Sequence, residues 1–143
     1  MKFLFALFFT SALTLSQAKA SSLILTMNDI EKTGKIHIGI YNDADVFENL
    51  TGESVGLSDG VIDGLVEDVS TTSATYSFEL SDGIYAIGVY IDVNLNNKLD
   101  KNFVGIPKEP YAFSNNAEGF LGSPSFEKAS FVIAGDTSLS IDM

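Results

Sequence analysis

Period-two alternation with frequent glycine and Asx breaks constrains this chain most. In residues 84–91, Tyr85, Ile87, Val89 and Ile91 share one side of an extended segment. Residues 36–40 put Ile36, Ile38 and Ile40 on one face, with His37 and Tyr41 on the other. Leu23, Leu25 and Met27 repeat the pattern. No stretch keeps a long helical period. A chain of short, one-faced strands must bury those faces against each other, so two packed sheets are expected.

The breaks divide the chain into about seven strands. Residues 23–27 and 36–40 flank a turn at 29–34 and read as a hairpin, with His37 and Tyr41 facing solvent. Residues 42–64 read as a long loop, with a helical turn or a loop pinned by Phe47 and one short strand near Val61. Residues 65–69 and 74–80 read as strands, with Tyr76, Phe78 and Leu80 on one face of the second. Ser81-Asp82-Gly83 is a turn signal. Gly88 leaves room for a close backbone or ring. Residues 130–133 and 138–141 read as a final hairpin. The turn followed by Gly83-Ile84-Tyr85 resembles the approach to a central strand in prealbumin-like and immunoglobulin-like domains. That resemblance implies a Tyr85 hydroxyl tied to the preceding turn. The alternative is an ordinary aromatic at the core edge. The expected fold is an all-β sandwich of this kind with one long ordered loop.

The first twenty residues stand outside that pattern. Lys2 is followed by an almost wholly apolar run over 3–15, then by Ala18-Lys19-Ala20. This reads as a secretory signal peptide cleaved after Ala20, with a run too short to span a membrane. Periplasmic or secreted localisation is expected. One domain, residues 21–143, remains. With no Cys in the chain, neither a lipid anchor on Cys nor a disulfide is available.

There is no Arg, and two of the eight Lys precede residue 21. Six Lys against nineteen acidic residues give the remainder a net charge of −13. Such a chain has no basic patch to displace counterions from nucleic acid, and it repels anionic surfaces. Acidity also serves solubility.

The candidate site follows the best strand. Asp92, Asn94 and Asn96 fill positions one, three and five of a calcium-loop pattern. Asn97 takes the place of its glycine, and Asn tolerates a left-handed turn. Lys98 offers a backbone carbonyl, Leu99 is apolar and Asp100 is the next acid. Phe103 stands where the pattern has its bidentate Glu. Glu109, Asn115 and Glu118 are candidates for the missing ligand. All donors are oxygens, which suits Ca²⁺; Mg²⁺ demands stricter geometry. Two loop carboxylates imply affinity toward the weak end, roughly 10⁻⁴ to 10⁻³ M. The alternative is a metal-free turn stitched by Asn and Asp side chains.

Other chemistry is thinner. His37, the chain's one His, is expected at the surface with no acid beside it. No Ser lies in a nucleophile-elbow pattern, and the glycines of 34–60 lack a phosphate-binding context. Asn49-Leu50-Thr51 is a glycosylation sequon. Tyr111, Phe113 and Phe120 lie in a long loop beside Asn115 and Asn116. They read either as ligand-binding rings, for sugar or peptide, or as a lid over the sandwich end.

Asp92 to Asp100, Gly105-Ile106-Pro107-x-Glu109, Tyr111-x-Phe113-Ser114-Asn115-Asn116-Ala117, Gly122-x-Pro124-Ser125-Phe126 and Ala129-x-Phe131 resemble the signature of an uncharacterised exported bacterial family, domain of unknown function 2141. Its members have His at position 91 and Gly at 97, where this chain has Ile91 and Asn97. The resemblance implies a secreted or periplasmic β-rich domain and no activity. The function expected is a non-enzymatic binding or structural module with a Ca²⁺-ordered loop and a protein or glycan partner. A carboxylate-dependent hydrolase and a carbohydrate-binding domain are the alternatives.

Overall fold

The computed structural model describes residues 19–50 and 60–143. Among these, eight strands form two sheets. They are β1 (Ala20–Asn28), β2 (Gly34–Tyr41), β3 (Asp63–Val69), β4 (Ala74–Ser81), β5 (Gly83–Asp92), β6 (Tyr111–Phe113), β7 (Phe131–Ile133) and β8 (Thr137–Asp142). Two short helices, α1 (Ala44–Glu48) and α2 (Phe126–Ala129), and a 3-10 turn (Ser114–Asn116) complete the order. One sheet runs β4-β1-β8; the other runs β3-β2-β5-β6, with β7 also on β5. The fold is all-β and sandwich-like.

The alternating faces meet between the sheets as expected. Leu23, Leu25 and Met27 of β1 pack with Ile36, Ile38 and Ile40 of β2 and with Ile87, Val89 and Ile91 of β5. Burying one such side chain stabilises by ~1.5–3 kcal/mol, so this layer carries the fold. Tyr76, Phe78 and Leu80 join the same cluster from β4. The turn after β4 also behaves as the resemblance implied. The Tyr85 hydroxyl donates to the Ser81 carbonyl at 2.8 Å.

Both expected hairpins are corrected. β1 pairs with β4 antiparallel and with β8 parallel, whereas β2 pairs with β3 and β5. Residues 29–33 therefore carry the chain from one sheet to the other. Ile30 is buried in that crossing, and its amide donates to the Thr72 carbonyl at 3.1 Å. Two strands with one apolar face each bury them better opposite one another than side by side. β7 and β8 separate likewise, β7 to β5 and β8 to β1. Residues 81–83 are also a crossing, from β4 to β5, held by the Ser21 hydroxyl donating to Asp82.

The second correction concerns the outer face of the larger sheet. His37 and Tyr41 do not face solvent; both are buried. A second apolar layer of Tyr41, Phe47, Ala86, Phe113 and Ala129 covers part of this face. Phe47, delivered by α1, meets Tyr41, Phe113 and Phe126 edge-on at 5.7, 5.8 and 5.9 Å. The Asp43 carboxylate caps α1 by accepting from the Val46 amide at 3.0 Å. Strand β5 is therefore buried on both faces from Tyr85 onward, as a central strand covered on both sides must be.

Ser114 ties the two layers together. Its hydroxyl accepts from the Ile87 amide at 2.9 Å and donates to the Ala129 carbonyl at 2.5 Å. It thereby fills a gap along β5 between its pairings with β6 and β7, at a position with no solvent exposure.

The strand expected over 65–69 begins earlier, at Asp63, and among the described residues no separate strand forms at Val61. Residues 1–18 of the expected signal peptide (1–20) and the loop residues 51–59 lie outside the described residues. Ala20 is already the first residue of β1, opposite Ser81.

Candidate functional site

Asp92 ends β5 with its carboxylate wholly buried, and the loop winds around it. Its Oδ1 accepts from the Asn96 amide at 3.1 Å and its Oδ2 from the Asn97 amide at 2.6 Å. The winding needs two left-handed residues, Leu95 (φ 62°) and Asn97 (φ 60°). Asn97 is suited to that conformation; Leu95 adopts it under strain. Asn94 Oδ1 accepts from the Asn96 amide at 3.2 Å, and Asn96 Oδ1 from the Lys98 amide at 2.9 Å. These are Asx turns in series. Leu99 buries its side chain beneath the loop.

Asp100 faces back toward the same centre. Its carboxylate accepts from Asn94 Nδ2 at 2.5 Å and from Asn96 Nδ2 at 3.1 Å. Thus Asp92, Asn94, Asn96 and Asp100 form one connected hydrogen-bonded cluster. Lys98 contributes its backbone to the winding, with its side chain exposed.

Of the three further candidates, Glu109 joins this loop. It is buried, and it accepts from the Val93 amide at 2.9 Å with one oxygen and from the Asp100 amide at 3.0 Å with the other. Asn115 instead donates to the carbonyls of Lys128 and Ser130 at 3.1 and 2.7 Å. Glu118 borders a groove beside β6 and β8.

His37 was missed as a site neighbour. Its Nε2 lies 3.7 Å from Asp92 Oδ2, beyond hydrogen-bond reach, and has no partner. Its ring stacks on Tyr90 with centroids 4.4 Å apart. Burial lowers the His37 pKa from its ordinary 6.5, and the Asp92 charge opposes this. Burial, then the nearby carboxylates, pushes the Tyr90 phenol well up. Both rings are neutral near pH 7. The register places them: His37 pairs with Tyr90, two residues before Asp92. Only a correct β2–β5 pairing reveals that proximity.

The loop aromatics separate. Tyr111 is 43 % exposed, Phe113 is 7 % exposed and Phe120 is 95 % exposed. Phe113 packs in the second apolar layer and also borders the groove. The groove, about 590 Å³, is lined by Tyr111, Asn116, Glu118 and Asp142 among others. Phe120 is not in its lining. Asn116 is held there by donating to Asp142 Oδ2 at 3.0 Å and accepting from the Asp142 amide at 2.9 Å.

Fold and loop together define a two-sheet β domain with an Asx-rich loop closing its central strand. The chain belongs to the family described as an uncharacterized protein conserved in bacteria (DUF2141), which it matches over residues 26–141. No curated protein matches it, and no solved structure does.

Proposed function

We propose that the protein is an exported, non-enzymatic binding module whose loop 92–100 takes a Ca²⁺ ion. One observation carries this reading. Four oxygen-bearing side chains, Asp92, Asn94 and Asn96 at alternate positions and Asp100 four residues further on, are joined in one cluster at the end of β5. The donor set is all oxygen and suits a hard cation. Asn94 and Asn96 hold the Asp100 carboxylate through their amide nitrogens and carry amide oxygens of the kind a hard cation takes. Glu109, with both oxygens on backbone amides, anchors the loop base. Two carboxylates in the cluster imply weak binding, roughly 10⁻⁴ to 10⁻³ M.

The test is thermal unfolding of chelated protein with and without added Ca²⁺. A ligand that binds only the folded state raises the melting temperature with concentration. Replacing Asp92 and Asp100 with Ala should abolish the response. Asp100→Asn, which keeps the shape and removes one charge, should weaken it. A flat response in the unmutated protein leaves the metal-free Asx turn as the better account.

A second reading, carbohydrate binding, is supported by the groove at Tyr111. An exposed ring beside Asn116, Glu118 and Asp142 offers a sugar a stacking face and polar partners. Binding on a glycan array that is lost in Tyr111→Ala would support it. Binding that survives this change would count against the groove. The hydrolase alternative needs a pair of acids at a cleft. Glu118 and Asp142 line the groove, but both Asp142 oxygens are engaged by Asn116 and Asn28 amides.

A further inference from the structure

Two exposed turns rise from the Glu109 carboxylate. Residues 93–98 form the first, and Val93 and Leu95 are exposed there. Residues 102–106 form the second, at the end of a short ladder closed by the Lys101–Pro107 bridge. The second turn is shaped by Asn102, whose Oδ1 accepts from the amides of Val104 and Ile106, both at 3.0 Å. Phe103 at its apex is 100 % exposed, and Val104 and Ile106 are exposed beside it. Glu109 joins the bases of the two turns through Val93 and Asp100. Five apolar side chains thus project at the end of β5, on convex tips rather than in a groove.

Charge is sorted across the same residues. Lys98, Lys101 and Lys108 are exposed around the tips. They are three of eight basic residues in a chain of net charge −11. The carboxylates of this stretch point inward: Asp92 and Glu109 are buried, and Asp100 is turned onto the Asn94 and Asn96 amides. The neighbouring turn between β1 and β2 adds Asp29, Glu31 and Lys32, so the positive character belongs to the tips and not to the whole end.

We propose that these two turns are a docking tip for an anionic lipid surface. Apolar apices enter the interfacial zone, while lysine stems lie along it with their ammonium groups at the headgroups. The acidic remainder is repelled by the same lipid, so contact is end-on and shortens in reach as salt rises. A protein partner is the less suited occupant, because two narrow convex tips give it little area to bury. This inference does not rest on the cation reading, because Asn102, the Lys101–Pro107 bridge and the Glu109 bonds to backbone amides shape the two turns.

The experiment uses purified protein in chelator with vesicles of phosphatidylcholine, with and without phosphatidylglycerol. Co-sedimentation should occur with the anionic vesicles at low salt and fall as salt rises. Phe103→Ser with Val104→Ser should weaken binding by about tenfold or more, and separately Lys98→Gln with Lys101→Gln and Lys108→Gln by about a hundredfold. Val132→Ser, an exposed apolar position on β7, should leave it unchanged. The chain has no Trp, so Phe103→Trp reports the tip alone, and its emission should shift to the blue on anionic vesicles only. No sedimentation with anionic vesicles, binding that survives both tip variants, or an unshifted Trp would each overturn the proposal. Melting with Ca²⁺ on the same samples without vesicles is a separate readout, so the lipid and cation readings fail independently.

Discussion

His37 Nε2 stands 3.7 Å from Asp92 Oδ2, and both side chains are buried. The distance is too long for a hydrogen bond, and the ring nitrogen is left without a partner. Burial outweighs the attraction of Asp92 and keeps the imidazole neutral.

A pH dependence follows. The folded His37 has a lower pKa than the ordinary 6.5 of the unfolded chain, so the unfolded state binds the proton first. Its contribution to stability is complete above pH 6.5 and falls as pH drops from there toward the folded value. Urea unfolding in chelator between pH 7.5 and about 5 should show that loss, in a range above most carboxylate titrations. His37→Asn should flatten the slope between pH 6.5 and 5. An unchanged slope in that variant would assign the dependence to other groups.

Glu109 bridges Val93 and Asp100 with one oxygen each. In Glu109→Gln one of those acceptors becomes an NH₂ facing a backbone N–H. The loss should be ~1–3 kcal/mol of unfolding free energy, the range for leaving a buried donor unmade. Denaturation without Ca²⁺ measures it, and a loss below the error of extrapolation would show that the loop base relaxes freely.

Ser114 serves a buried amide on β5 and a buried carbonyl in α2 with one hydroxyl. Ser114→Ala leaves both unpaired and should cost ~1–3 kcal/mol. Ser114→Cys keeps a side chain of similar shape with a poorer donor and should fall between the two. Chemical denaturation of the three proteins ranks them.

Much of the fold was legible in local pattern. Leu23, Leu25, Met27, the three isoleucines of β2 and the alternate residues of β5 reach the core as their period of two required. The Asp92 spacing marked a wound loop, and Asn97 adopts the left-handed turn that its side chain permits. Glu109, flagged only as a spare ligand, proves to be the loop's anchor.

The misses share a cause. His37 and Tyr41 alternate with isoleucines on β2, and alternation alone reads them as solvent-facing. What buries them is a second layer brought from elsewhere in the chain: Phe47 on α1, Phe113 on β6 and Ala129 on α2. Likewise, two adjacent one-faced strands look like a hairpin until the opposing sheet is known. Strand propensity does not encode which strand is the neighbour.

Side-chain chemistry and short-range spacing determined the strands, their inward faces and the oxygen-rich loop, because those depend on residues a few positions apart. Only tertiary structure decided that β1 pairs with β8 and β2 with β5, that Phe113 is packing material, and that His37 lies beside Asp92. Each of those rests on contacts between distant segments, whose energy comes from covering a shared surface and not from any local preference.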